Sequence, residues 1–129
     1  MNPSRSRDYF HDMRANTGTR VRLANGEPVA LERGAYSVDA FPGLLGGPLE
    51  GSLYDLIRAR YDTVPVRAHE RLEPALAQPV EAAALGIEPG APVMLVERTA
   101  YSAAGQPVEH SRDVFRGDRT TVVWESQIR

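Results

Sequence analysis

One four-residue pattern occurs twice in the chain. Gly26-Glu-Pro-Val29 returns 79 residues later as Gly105-Gln-Pro-Val108. Each copy follows an alternating polar–apolar segment, and each leads into a second such segment that carries an arginine, Arg33 or Arg112. Alternation of period two is the mark of a half-buried strand, and glycine-containing turns between two such strands mark hairpins. Two hairpins of the same design imply an antiparallel sheet. They read either as a duplicated unit or as two generic hairpins that coincide.

The remaining elements fit around these hairpins. Asp8 to Ala15 reads as a short helix with Tyr9, Phe10 and Met13 near one face. Arg20-Val-Arg-Leu23 alternates, Asn25-Gly26 supplies a tight turn, and Pro28 to Tyr36 reads as the returning strand. Phe41-Pro-Gly43 and Gly46-Gly-Pro48 punctuate a loop. Ser52-Leu-Tyr-Asp55 has the spacing of a capping box, and it opens a helix to about Tyr61 with Leu53, Leu56 and Ile57 toward the core. Val64 to Leu72 is expected as a strand, since Val64, Val66, Ala68 and Leu72 share one parity. Val80 to Leu85 is a short helix ended by Gly86. Pro92 to Tyr101 and Gln106 to Phe115 form the second hairpin, and Thr120 to Trp124 is expected to add a last strand. The class is α+β: an antiparallel sheet with flanking short helices.

Composition narrows the functions. At 129 residues the chain suffices for one domain with a real core. No apolar run approaches the length that spans a bilayer, and no secretory h-region opens the sequence, so a cytoplasmic location without membrane contact is expected. The absence of cysteine excludes disulfides, thiolate metal sites and cysteine nucleophiles. A formal charge of −2 argues against strong nucleic-acid binding by this domain alone. His11, His69 and His110 are scattered without metal-ligand spacing, and His69 beside Glu70 reads as part of an exposed cross-strand pair. No metal, cofactor or catalytic set is expected.

The chemistry lies in the strand parities. Arg20 and Arg22 leave one face of a strand roughly 7 Å apart. Their planar forks suit a phosphate or carboxylate, although two arginines on a solvated face are equally ordinary. Pairing across the turn brings Glu32 to their side. In the second hairpin Glu109, Ser111, Asp113 and Phe115 share a face, with Val108 and Val114 on the other. Such a face is either a solvated surface or the lining of a polar pocket. Ser52 and Tyr54 stand at a helix start, where Ser52 either caps the helix or helps hold an anion. Glu32 and Glu109 are the available pair for acid–base work, without a nucleophile or metal to accompany them.

Read in order, these segments resemble a known domain. Arg20 to Glu32, Phe41-Pro-Gly-Leu-Leu45 and Ser52-Leu-Tyr-Asp55 resemble the first half of the UTRA domain. Leu85 to Pro92, Val96 to Tyr101, Gly105 to Glu109 and Phe115-Arg-Gly-Asp118 resemble its second half. UTRA is the effector-sensing domain of GntR regulators of the HutC type. The resemblance covers about Thr19 to Val123. It implies a chorismate-lyase-like fold that binds a small anionic metabolite, such as a sugar phosphate or small organic acid.

Residue by residue, the resemblance gives Arg20 and Arg22 the anion and Ser52 and Tyr54 an assisting role. Glu32 and Glu109 take ligand hydroxyls or amides, and Phe115 stands where relatives carry a pocket tyrosine. It divides the chain into an N-terminal tail and short helix, 1–15, and a sensing domain, 16–129. It implies a homodimer, or pairing with a full-length regulator, with DNA engaged only indirectly. Against the family pattern, the winged helix-turn-helix and the first strand, helix and L-G-x-x-P-G turn of the sensor are expected to be missing. The alternatives are a chorismate-lyase-like enzyme and a ligand-free dimerisation module.

Overall fold

The computed structural model describes residues 15–44 and 53–128. The helix expected over Asp8 to Ala15 lies outside this range except for Ala15, which begins a strand. In chain order the elements are β1 (Ala15–Ala24), β2 (Glu27–Ser37), α1 (Leu53–Arg60), β3 (Arg67–Leu76), α2 (Pro79–Leu85), β4 (Pro92–Tyr101) and β5 (Pro107–Arg116), then a 3-10 turn (Gly117–Arg119). The five strands form one antiparallel sheet in the order β1-β2-β5-β4-β3.

Both hairpins carry the same irregularity at the same residue. In the first, Arg22 pairs with Ala30 and Leu23 with Pro28, which leaves Val29 unopposed. In the second, Ala100 pairs with Glu109 and Tyr101 with Pro107, which leaves Val108 unopposed. The bulge therefore sits on the valine of each Gly-x-Pro-Val copy, so the repeat is structural as well as written. Asn25 and Gly26 both take positive φ (51° and 80°), the conformation that a two-residue hairpin turn demands.

Two apolar clusters hold the sheet. On one face, α2 packs Ala82 and Leu85 against Leu31, Val93, Leu95 and Val114 of the three central strands. Pro79 stands in the first turn of α2, where its missing N–H costs nothing. The Glu81 carboxylate accepts a hydrogen bond from the Gln78 backbone N–H at 2.9 Å, and Gly86 closes the helix in the left-handed region. The second cluster joins Phe41, Leu44, Ile57 and Val108. The Phe41-Pro-Gly segment is thus more than punctuation. Phe41 and Leu44 are fully buried, Phe41 meets Tyr61 edge-on at 5.5 Å, and the Tyr61 hydroxyl donates to the Pro42 carbonyl at 2.7 Å.

Several expectations change. The first strand begins at Ala15, earlier than Arg20, because β2 runs on to Ser37 and offers partners for Ala15 to Thr19. The third strand is Arg67–Leu76, not Val64 to Leu72, since it follows β4 along its whole length. Pro74 is tolerated there because β3 is an edge strand. The parity of Val66 and Leu72 does not bury them; both are exposed. The exposed cross-strand pair expected around His69 and Glu70 is present, with Glu70 accepting from Arg98 and His69 exposed opposite Thr99. Thr120 to Trp124 forms no strand. β5 is central, both its edges are taken by β2 and β4, and the segment that follows it has no free edge beside it.

The two hairpins differ in cover. α2 lies over β2 and reaches Val93, Leu95 and Val114 of the second hairpin, whereas no described element lies over Val21 and Leu23 on β1, which stay 43% and 59% exposed. The Arg-Gly-Asp turn after β5 also has a steric cause. A Cβ at Gly117 would stand 2.6 Å from the Pro92 carbonyl oxygen. Gly117→Ala is expected to cost roughly 1–3 kcal/mol by overpacking, read from urea denaturation, because backbone on both sides must move.

Candidate functional site

On the sheet face opposite α2, register sorts the side chains into four cross-sheet rows. The first is Arg22–Ala30–Phe115–Met94–Pro74 and the second Arg20–Glu32–Asp113–Val96–Leu72. The third is Gly18–Gly34–Ser111–Arg98–Glu70 and the fourth Tyr36–Glu109–Ala100–Ala68. Successive rows lie roughly 7 Å apart along the strands. Five of the seven residues singled out from the sequence, Arg20, Arg22, Glu32, Glu109 and Phe115, therefore share this face. Tyr54 lies on α1, and Ser52 falls outside the described residues.

The rows also refine the set. Glu32 is the direct neighbour of Arg20 and Asp113, while Glu109 stands two rows away beside Tyr36. Phe115 belongs to the arginine end, in the row of Arg22, and is distant from Glu109. The two arginines do not act as an isolated clamp. Arg22 Nε reaches diagonally to Glu32 Oε1 at 3.1 Å, with the arginine 60% exposed and the glutamate 20% exposed. Exposed pairs of this kind contribute little stability, so the bridge is easily exchanged for another anion.

The centre of the face is acidic and partly to fully buried. Glu109 and Ser111 are 5% and 6% exposed. Asp113 accepts a hydrogen bond from the Arg33 backbone, yet its Oδ1 is buried and takes none from any described residue. Burial first, and then the charge of Glu32, push the Asp113 carboxyl up to about 7; Glu109 adds to this and Arg22 opposes it. Tyr36 is held well above the ordinary phenol range by burial, then by Glu109, Asp113 and Glu32, against Arg20. Its ring lies over Gly34, where an added Cβ would meet the phenol oxygen at 2.6 Å. The glycine lets the tyrosine lie flat along the sheet.

Tyr36 and Asp113 were not among the sequence candidates. The signal was present, since counting parity from Glu32 through Gly34 reaches Tyr36, and Asp113 had been placed on the face. What sequence alone lacks is burial, since both are half-buried beside the buried Glu109 and Ser111. Beside the site, an open depression of about 240 Å³ is lined by Arg58, Pro65, Val66, Arg67, Ala68 and Arg98. On the opposite face His110 is buried, with Nδ1 2.8 Å from Thr99 Oγ1, and burial lowers its pKa despite Glu97. That imidazole packs away from the site. Among the described residues no group of His, Asp and Glu has the arrangement of a metal site.

Comparison with known proteins accounts for this architecture. The HTH-type transcriptional repressor NagR of Bacillus subtilis is 44% identical over 106 residues, which are 81% of this chain and 43% of that protein. The chain thus spans less than half the length of the curated relatives it matches. The crystal structure of the effector domain of PhnF from Mycobacterium smegmatis superposes with a TM-score of 0.82 at 30% identity, over 88% of this chain and 70% of that one. The C-terminal domain of a histidine utilization repressor from Pseudomonas syringae shares the fold, with a TM-score of 0.80 at 22% identity over 90% of this chain and 81% of that one. Residues 18–121 match the UTRA domain, and the chain belongs to the UTRA family.

Proposed function

We propose that this domain senses a small anionic metabolite, a sugar phosphate or small organic acid, on the sheet face opposite α2, and has no enzymatic role. The observation that carries the reading is the row pattern. Guanidinium groups stand at one edge of the face, and a buried glutamate, a half-buried aspartate and a phenol stand further in. Arg20 and Arg22 take the anionic group, whose two oxygens match a planar fork. Glu32 and Glu109 accept from ligand hydroxyls or amides, Phe115 offers an apolar wall beside Arg22, and Ser52 and Tyr54 assist at the anion.

The mechanism follows from the bridge. A ligand anion competes with Glu32 for Arg22, so binding trades one contact between β1 and β2 for contacts that span both strands. A ligand shifts a conformational equilibrium only by its differential affinity for the two states, and this exchange supplies such a difference. The domain works in a homodimer or beside a full-length regulator in the cytoplasm, and touches DNA only through a partner domain. The edges at β1 and β3, which no described strand pairs, and the exposed Leu23 and Leu76 support that pairing.

A thermal-shift panel of phosphosugars and small carboxylic acids tests the reading. At least one member is expected to stabilise the domain. Arg20→Ala and Arg22→Ala should each remove most of that stabilisation, since losing a charged hydrogen-bonding partner typically costs about 1.5–3 kcal/mol. An unchanged shift in both variants would take the arginines out of the site.

A further inference from the structure

Asp113 shares the row of Arg20 and Glu32, two rows from Glu109. Its surroundings limit what it can do. From β2 it faces Glu32 directly, with Tyr36 further along the same face. From β1 come Arg20 and Arg22, the latter held by Glu32. Its own strand places Ser111 and Glu109 beside it. From β4 it faces Val96 and, one row on, Arg98, whose Nη1 donates to Glu70 at 3.1 Å. No described residue donates to Oδ1.

We infer that Asp113 is a specificity-determining residue of the effector site, meeting an uncharged hydroxyl of the ligand as a protonated carboxyl. This rests on the sensing role proposed above. Oδ1 is already out of water and without a described donor, which disfavours the ionised form, and a ligand laid over the face removes solvent from the rest of the half-buried carboxyl and raises that cost. The neutral acid has one donor and one acceptor, which match a hydroxyl group. An ammonium group in that position would instead hold Asp113 ionised. The effector is thus anionic at the arginine edge and neutral at the Asp113 row. Burial and the charge of Glu32 already push the carboxyl up to about 7, so binding takes up a proton as pH rises through this range.

The test is calorimetric titration of the full chain with glucose 6-phosphate at pH 6 and pH 8, for the parent protein, Asp113→Asn and Arg20→Ala. The phosphate also titrates in this interval, so the quantity read is the ratio of parent to Asn-variant affinity. That ratio should fall roughly tenfold between the two pH values, because one linked proton changes affinity by up to tenfold per pH unit. The Asn variant, which mimics the neutral acid, should still bind at both. Equal pH responses, or loss of binding in Asp113→Asn while its circular dichroism stays native, would overturn the role assigned to Asp113. So would a carbon-13 carboxyl titration that places the free Asp113 near 4. No binding by the parent at either pH, with Arg20→Ala indistinguishable from it, would instead overturn the sensing reading and this inference with it.

Discussion

Leu85→Ala is expected to lower the stability of the domain by roughly 3 kcal/mol, the middle of the range for removing a buried leucine from a packed core. Leu85 is fully buried at the end of α2, and it meets the central strands through Leu31, Val93, Leu95 and Val114. α2 has only seven residues, too short to persist without that anchor. Truncation leaves a cavity between helix and sheet and loosens the helix that covers Leu31, Val93, Leu95 and Val114. Urea unfolding followed by circular dichroism reads the effect. Leu76→Ala, at a side chain 69% exposed, should change stability by less than about 0.5 kcal/mol in the same assay. Equal losses in the two variants would mean that α2 does not organise the core.

The second large effect has the opposite sign. Asp113→Asn is expected to stabilise the domain at pH 8 and to leave it nearly unchanged at pH 4. Burial and the Glu32 charge raise the Asp113 carboxyl from the ordinary carboxylate range to about 7. The folded state therefore keeps a proton that the unfolded chain has released. Stability from this group is fully present below about pH 4, is lost as pH rises toward 7, and stays lost above it. A three-unit difference amounts to about 4 kcal/mol in full, but Asp113 is only partly buried and solvent screens it, so roughly 1–2 kcal/mol is expected. The amide removes the charge and offers donors to the acids nearby. Parallel urea curves for parent and variant from pH 4 to pH 8 should diverge steadily above pH 5. A constant offset across that range would exclude the linkage.

The legible part of this protein was its hairpins. The repeated Gly-x-Pro-Val and the Asn-Gly turn fix local backbone geometry, and alternation then fixes which side chains share a face. Arg20, Arg22, Glu32, Glu109 and Phe115 could be placed together on that basis. The fold class followed from the same source. Less legible were the features decided by the rest of the sheet. β3 runs from Arg67 through Pro74 because β4 extends that far, and a proline reads as a break until its strand is known to be an edge. Thr120 to Trp124 has the β-branched and aromatic composition of a strand, yet β5 has no free edge to offer. Burial of Phe41 and Leu44 depends on α1, many residues away. The weight of Tyr36 and Asp113 also escaped parity, since burial is set by three strands at once.

The most direct measurement is a nitrogen-15 NMR titration of the domain with the stabilising member of the ligand panel. Amide shifts should move together for Arg20, Arg22, Glu32, Tyr36, Ser111 and Asp113, and the guanidinium Nε–H signals of both arginines should shift with the same midpoint. Signals of α2, on the other side of the sheet, should follow only weakly. Saturable changes centred on α2 and Leu23, with the arginine side chains silent, would place the ligand on the wrong face and contradict the account.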